Sequence, residues 1–390
     1  MKHIVLTGGG TAGHVTPNIA LIPRLQELGY QISYIGSYNG IEKKLIEEMK
    51  IPYYGISSGK LRRYFDVKNF TDPFRVLKGF SEARKLMKEL SPDIVFSKGG
   101  FVTVPVVLAA KKCKIPAIIH ESDMTPGLAN KLCIPSAAKV CCNFPETVSC
   151  LPEGKAVLTG TPIRQELLKG DKVQALNFTG FSAAKPTILI IGGSLGSVAV
   201  NNAVRSILPQ LLEKFQVIHL CGKGKLDESL KNTPGYVQYE YIEKELADLF
   251  ALSDIVISRA GANAICELCA LRKPMLLIPL SANASRGDQI LKARSFEKLG
   301  YSMVLEEETL QDQLLLDTVN QLYDNRQAFI DAMSKGGSTD SIEKILQLIR
   351  ECQKKIKNCY KIYYKKGNGS QSFAYYAPEI HIPFVLTSYS

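Results

Sequence analysis

A chain of 390 residues is long enough for two domains with separate cores. Apolar residues make up 45% and charged residues 22%, a soluble balance, and no stretch approaches the roughly 18–20 uninterrupted apolar residues of a membrane span. The formal net charge of +11 suits an anionic ligand or an anionic membrane face, and no nucleic-acid motif accompanies it.

From the N-terminus the chain passes from one lysine straight into an apolar run, with no h-region or cleavage site, so no signal peptide is expected. Short β-rich runs follow at His3 to Leu6, Gln31 to Ile35, Ile94 to Phe96, Ala117 to His120 and Lys139 to Cys142. Between the first two, Ile19, Leu21, Ile22, Leu25 and Leu28 recur at helical spacing, and Gly29 reads as the C-cap. Strand, helix, strand in this order predicts a parallel sheet with right-handed crossovers. The pattern restarts at Thr187 to Ile191 and continues through Val217 to Leu220, Val237 to Tyr241, Ile255 to Ser258 and Met275 to Pro279. The expected fold is α/β, with Rossmann-like domains over 1–162 and 163–340 joined near Gly160 to Arg164, and a ligand crevice at the carboxyl ends of the strands. A helix over 341–352 is expected to return to the first domain. The remainder, 353–390, holds six lysines, one glutamate and six of the 17 tyrosines; it reads as a basic tail without helical period, poorly ordered and outside the fold. Ten scattered cysteines make no disulfide framework, and the lone C-x-x-C at Cys266 and Cys269 lacks a second pair for zinc; reduced thiols and a cytoplasmic protein without metal or cofactor are expected.

Four motifs carry candidate chemistry. Thr7 to His14 reads T-G-G-G-T-A-G-H, in which Gly8, Gly10 and Gly13 satisfy G-x-G-x-x-G between a strand and a helix whose free N–H groups suit an anion. A dinucleotide site would also need an acid ending the second strand. That strand ends Ile35-Gly36-Ser37, and the nearest candidate, Glu42, falls in the next helix, which argues against NAD. Ile191 to Ser197, I-G-G-S-L-G-S, repeats the logic with Ser194 at the turn; alone it fits a tight strand-to-helix turn equally well. Ser258 to Glu267, S-R-A-G-A-N-A-I-C-E, opens a helix with Glu267 about two turns in, placed to accept two ribose hydroxyls or simply to favour the helix dipole. Arg286 to Gln289 supplies Gln289, whose amide can donate to and accept from sugar hydroxyls. No D-x-D occurs, so a leaving diphosphate would be stabilised by helix N-termini and backbone N–H groups.

Taken in order, GGGTAGH, HES at 120–122 with Asn130, GTPIR at 160–164, GGSLGS, RAGANAICE and DQ resemble the MurG type of N-acetylglucosaminyltransferase, on the GT-B fold, over about residues 1–350. The resemblance implies two Rossmann-like domains facing a deep cleft. It implies UDP-N-acetylglucosamine as donor and undecaprenyl-diphospho-N-acetylmuramoyl-pentapeptide (lipid I) as acceptor, with lipid II of peptidoglycan as product. By matching motif positions it also implies that Ser194 meets the diphosphate, Arg164 lies near it, and Glu267 binds the ribose. Ile242 and the stretch Ala262, Asn263, Ala264, Ile265 and Cys266 would surround the uracil. Gln289 would contact the sugar, Thr11, Ala12 and Gly13 would line the sugar-facing loop, and His14 would be the candidate base. Two positions depart from the pattern: Lys292 stands where many members have Asn, and Asp123, also a candidate donor contact, stands where some carry Asn.

An α-linked donor giving a β-linked product requires a single inverting displacement, with a base within about 2.6–3.2 Å of the attacking hydroxyl. His14 suits that role, or it orients the loop through its ring N–H. Residues 60–88 interleave Arg62, Arg63, Arg75 and further lysines and arginines with Phe70, Phe74 and Phe80, as an interfacial segment on the anionic inner leaflet would, making the protein peripheral on the cytoplasmic face; an ordinary basic helix with inward aromatics is the plainer alternative. Competing functions are an NAD-dependent dehydrogenase, a non-hydrolysing UDP-N-acetylglucosamine 2-epimerase and a silent sugar-nucleotide-binding module.

Overall fold

The computed structural model describes residues 2–59, 72–193, 196–282, 287–336 and 340–365. Among the described residues thirteen strands form two sheets. The first is built from β1 (Lys2–Thr7), β2 (Tyr30–Ser37), β3 (Tyr53–Ile56), β4 (Ile94–Ser97), β5 (Ala117–Glu121), β6 (Lys139–Cys142) and β7 (Ala156–Leu158), in the order β3-β2-β1-β4-β5-β6-β7. The second contains β8 (Thr187–Ile191), β9 (Gln216–Leu220), β10 (Tyr236–Tyr239), β11 (Ile255–Ser258), β12 (Met275–Leu277) and β13 (Ser302–Val304), in the order β10-β9-β8-β11-β12-β13. Neighbours pair in parallel in both sheets.

Parallel strands bury both faces, which is why the central runs are continuously apolar. The period-2 alternation still sorts side chains between layers. Ile4 and Leu6 of β1 join one core and Val5 the other; in β8, Ile188 and Ile190 face one core and Leu189 the other. The strand order reverses between β1 and β4 in the first sheet and between β8 and β11 in the second, so each Gly-rich turn emerges at a switch point, where crevices form in such sheets.

Three of the four edge strands, β3, β7 and β13, have no counterpart among the runs read from sequence. They are three or four residues long and only partly buried, so their apolar signal is weak. The chain passes between domains at residues 159–164, where Gly160 takes φ +72°.

The helix Ser341–Lys365 returns to the first domain. Ile342, Ile345, Leu346 and Ile349, spaced i, i+3, i+4 and i+7, complete its core beside Ile4, Leu25 and Ile94. Ser341 donates to the Thr161 carbonyl at 2.7 Å, Arg24 pairs with Glu343 at 2.6 Å, and Tyr30 donates to Gln353 at 2.8 Å. The helix therefore runs past the boundary expected at 352, and Gln353 is buried rather than part of a loose tail. A helical period continues in the sequence at Ile356, Cys359, Tyr360 and Tyr363, masked by the run of lysines around it. Residues 366–390 lie outside the described residues. Because Ile345 is fully buried, Ile345→Ala should lower the stability of the chain by about 2–5 kcal/mol in denaturant titration. A loss below about 0.5 kcal/mol, the range of ordinary surface substitutions, would show that the helix is not part of the first core.

Candidate active site

Between the two sheets lies a cavity of about 460 Å³, in the range of small-molecule sites. Its first-domain wall is the loop after β1 with Ser122 and Asp123 after β5; its second-domain wall includes the turn after β8, the segment 240–243 and the start of the helix Ala262–Ala270.

The first loop is pinned from several sides. Gly9 N donates to the Gly99 carbonyl at 3.3 Å. Gly100, at φ +91°, lies so close beneath that an added Cβ would sit 2.2 Å from the Gly9 carbonyl oxygen, so only glycine fits. Glu42 is completely buried and accepts from Gly10 N at 3.2 Å and from Ser37 N at 2.9 Å and Ser37 Oγ at 2.5 Å. The one acid near the end of β2 is thus taken up by the protein's own backbone, so a dinucleotide ribose has no free carboxylate there.

This scaffold fixes the His14 ring. Its Nδ1 lies 3.1 Å from the Gly9 carbonyl and 3.1 Å from Thr11 Oγ1. A carbonyl only accepts, so Nδ1 carries the proton and Nε2 keeps its lone pair. Burial in the cleft, and then the charge on Lys98, lower the His14 pKa below 6.5; the Gly9 contact, Asp123 and Glu42 act in the opposite direction. The imidazole is therefore neutral at neutral pH.

Lys98, just past β4, was not singled out from the sequence, although a lysine followed by Gly-Gly at the carboxyl end of a central strand was a usable signal. It is 1% exposed. Its ammonium donates to His120 Nδ1 at 2.9 Å and to Ser122 Oγ. His120 Nε2 donates to the Gly160 carbonyl at 2.9 Å, so its other nitrogen is free to accept. Burial pulls Lys98 down to about 8 and His120 well below its ordinary value. Glu121 beside them accepts from Asp123 N, Gly127 N and Asn130 Nδ2 at 2.8–3.0 Å, and burial raises its carboxyl.

On the opposite wall, the turn after β8 brings the backbone against the next strand. Gly196, at φ +68°, would place a Cβ 1.9 Å from the Cys221 carbonyl oxygen. Ser197 caps the helix Val198–Ser206 and accepts from Arg259 at 2.6 Å. Glu267 faces Arg164 at 3.6 Å across the linker; burial raises the Glu267 carboxyl and Arg164 partly offsets it.

Of the residues expected in the site, Thr11, Ala12, Gly13, His14, Asp123, Arg164, Ile242, Ala262, Asn263, Ala264 and Glu267 line the cavity together. Asn263 also bridges the cleft, donating to the Gly13 carbonyl at 3.0 Å. Ile265 does not line it: one helical step turns that side chain into the core, where it is fully buried, and Cys266 packs against the same core with its thiol pushed up to about 12 by burial. Gln289 is also absent from the lining, its Oε1 accepting from Leu280 N at 3.0 Å. Ser194 lies outside the described residues, as do Arg62, Arg63 and Phe70. On the helix Asp72–Leu90, Phe74 and Arg75 are exposed, whereas Phe80 turns into the first domain's core, because six residues along a helix lead to its other side. Among the described residues no helix is long and apolar enough to cross a membrane, and no cluster of three or more His, Cys, Asp or Glu could hold a metal ion.

These electrostatics are measurable on the free protein. In NMR titration His14 should remain the Nδ1–H tautomer at neutral pH, with its midpoint below 6.5, and Lys98→Met should raise that midpoint by removing a nearby positive charge. A midpoint at or above 6.5, or one unmoved in Lys98→Met, would contradict the arrangement.

Comparison with known proteins agrees with this geometry. The N-terminal domain of glycosyltransferase family 28 matches residues 4–142 and the family's C-terminal domain matches residues 187–349. The UDP-N-acetylglucosamine--N-acetylmuramyl-(pentapeptide) pyrophosphoryl-undecaprenol N-acetylglucosamine transferase of Lachnoclostridium phytofermentans is 68% identical over 91% of this chain and 100% of its own length. The protein of the same name from Lachnospira eligens is 67% identical, with the same coverage. The crystal structure of Acinetobacter baumannii MurG superposes with a TM-score of 0.69 at 27% identity, covering 90% of this chain and 100% of that one. The chain belongs to glycosyltransferase family 28 and, within it, to the MurG-type N-acetylglucosaminyltransferases on the GT-B fold.

Proposed function

We propose that the protein transfers N-acetylglucosamine from UDP-N-acetylglucosamine to the 4-hydroxyl of undecaprenyl-diphospho-N-acetylmuramoyl-pentapeptide, converting lipid I to lipid II. The observation that carries this reading is the interdomain cavity, with a neutral imidazole on one wall and the Arg164–Glu267 pair on the other.

The two walls divide the work. On the second-domain side, Glu267 accepts the ribose hydroxyls, and the apolar side chains of Ile242 and Ala264 flank the uracil. Arg164 and the N–H groups opening the helices Val198–Ser206 and Ala262–Ala270 oppose the negative charge that grows on the departing diphosphate. Ser194 serves the diphosphate. On the first-domain side, Thr11, Ala12 and Gly13 carry His14 towards the sugar. Nε2 of His14 takes the proton of the acceptor 4-hydroxyl as that oxygen attacks C1 and UDP leaves from the opposite face, which inverts the anomeric centre. The Nδ1–H bond to Gly9 then stabilises the imidazolium that forms.

A 2-epimerase would act on the nucleotide sugar alone, and a silent binding module would release nothing. Release of UDP should therefore require the lipid acceptor, and release at the same rate without it would overturn the transfer reading. With saturating donor, His14→Ala should lower turnover by about 10²–10⁴-fold, while a loss under about tenfold would remove the base role.

The acceptor carries a long lipid, and the exposed face of the helix Asp72–Leu90 suits a membrane surface. Phe74 and Leu77 are 74% and 65% exposed beside Arg75 and Lys78. We place this face on the anionic inner leaflet of the cytoplasmic membrane. In flotation assays Phe74→Ala/Leu77→Ala should reduce vesicle binding by about tenfold or more, since burying such a side chain is worth about 1.5–3 kcal/mol. Equal binding of the unaltered protein to neutral and anionic vesicles would contradict the electrostatic part.

A further inference from the structure

Lys292 lies on the helix Asp288–Lys298 of the second domain and is 5% exposed, yet its side chain reaches the cavity. Among the described residues its hydrogen-bond partner is Asp123 of the first domain, at 2.7 Å from Nζ to Oδ1. The pair spans the cleft. One helical turn further along, Ser295 donates to Glu146 at 2.8 Å, and Phe296 meets Phe144 edge to face at 6.1 Å. Lys292, Ser295 and Phe296 stand at i, i+3 and i+4, so one face of this helix seats on the first domain, and its ion pair is the contact that also lines the cavity.

The two members of the pair are unequal. The Lys292 side chain is 6% exposed and the Asp123 side chain 39%. An ammonium so deeply buried needs a counter-charge, whereas the carboxylate keeps contact with water.

We infer that Lys292 and Asp123 form a single positioning unit, an ionic clamp across the donor cavity that holds the two domains at the separation required for transfer. The inference rests on reading this cavity as the donor site. Lys292 acts through Asp123 and the domain contact, not on the reacting atoms. Because each charge exists to answer the other, losing one is worse than losing both.

A double-mutant cycle tests this with UDP release from UDP-N-acetylglucosamine in the presence of lipid acceptor, using the full chain. Asp123→Asn leaves the buried ammonium unpaired and should lower kcat/KM for the donor by at least about tenfold. Lys292→Asn leaves a partly solvated carboxylate and should cost less, about threefold. The double variant D123N/K292N should recover to within about threefold of the unaltered protein, with kcat/KM for the donor recovering from the Asp123→Asn level while the melting temperatures of all four proteins stay within a few degrees of one another. If Asp123→Asn alone does not accumulate as folded protein, recovery of folded and active D123N/K292N supports the clamp in the same way. A double variant as impaired as the product of the two single losses would overturn it, as would Asp123→Asn with unchanged donor kcat/KM. The two readings fail separately: no UDP release by the unaltered protein overturns the donor site itself, whereas an active protein with additive variants overturns only the clamp.

Discussion

The hydrogen bond from His14 Nδ1 to the Gly9 carbonyl is the contact on which the chemistry of this site depends. It fixes the tautomer and aims the lone pair of Nε2 away from the loop, and in the proposed transfer it stabilises the imidazolium that forms. Such a bond is only as good as the position of its acceptor. Gly9 is therefore held by Gly99 on one side, while Glu42 holds Gly10 on the other. The glycines here serve close approach: the loop after β4 lies so near the loop after β1 that a single methyl at Gly100 would displace the carbonyl on which His14 rests.

The electrostatic setting follows from the same construction. Burial lowers the His14 pKa, and the charge of the buried Lys98 ammonium reinforces that shift. Lys98 in turn is tied through His120 to the Gly160 carbonyl, at the point where the chain crosses between domains. The lysine whose charge acts on His14 is thus hydrogen-bonded, through His120, to the interdomain linker. In the proposed scheme the second domain contributes the complementary half, with Arg164 and two helix N-termini opposing the negative charge of the diphosphate.

Much of this was legible in the sequence. Fully buried parallel strands announce themselves as apolar runs, so the central strands and both switch-point turns were read, and the absence of an acid at Ser37 weakened the dinucleotide reading before Glu42 explained it. The misses have physical causes. Short edge strands such as β7 and β13 bury too little to leave a pattern. Around residue 353 lysines masked a helical period and moved the expected end of the last helix too early. Ile265 and Phe80 were grouped with functional neighbours because a motif read as a string ignores the rotation of each side chain about its helix. Lys98 escapes sequence reading because a lone lysine reads as surface, and Lys292 stands out there only as a departure from the family pattern; burial and a partner distant in sequence mark both as part of the cleft. The fold and most of the cavity wall could be read from local pattern, whereas contacts across the cleft required the three-dimensional arrangement.

In the proposed division of labour the second domain holds the nucleotide and the first supplies the base. Titration calorimetry with UDP-N-acetylglucosamine addresses it directly, using His14→Ala and Glu267→Ala beside the unaltered protein. The account predicts donor affinity within about threefold of the original for His14→Ala, and a loss of about tenfold or more for Glu267→Ala, as expected when hydrogen bonds to a charged group are removed. Donor binding that survives in Glu267→Ala but fails in His14→Ala would contradict it.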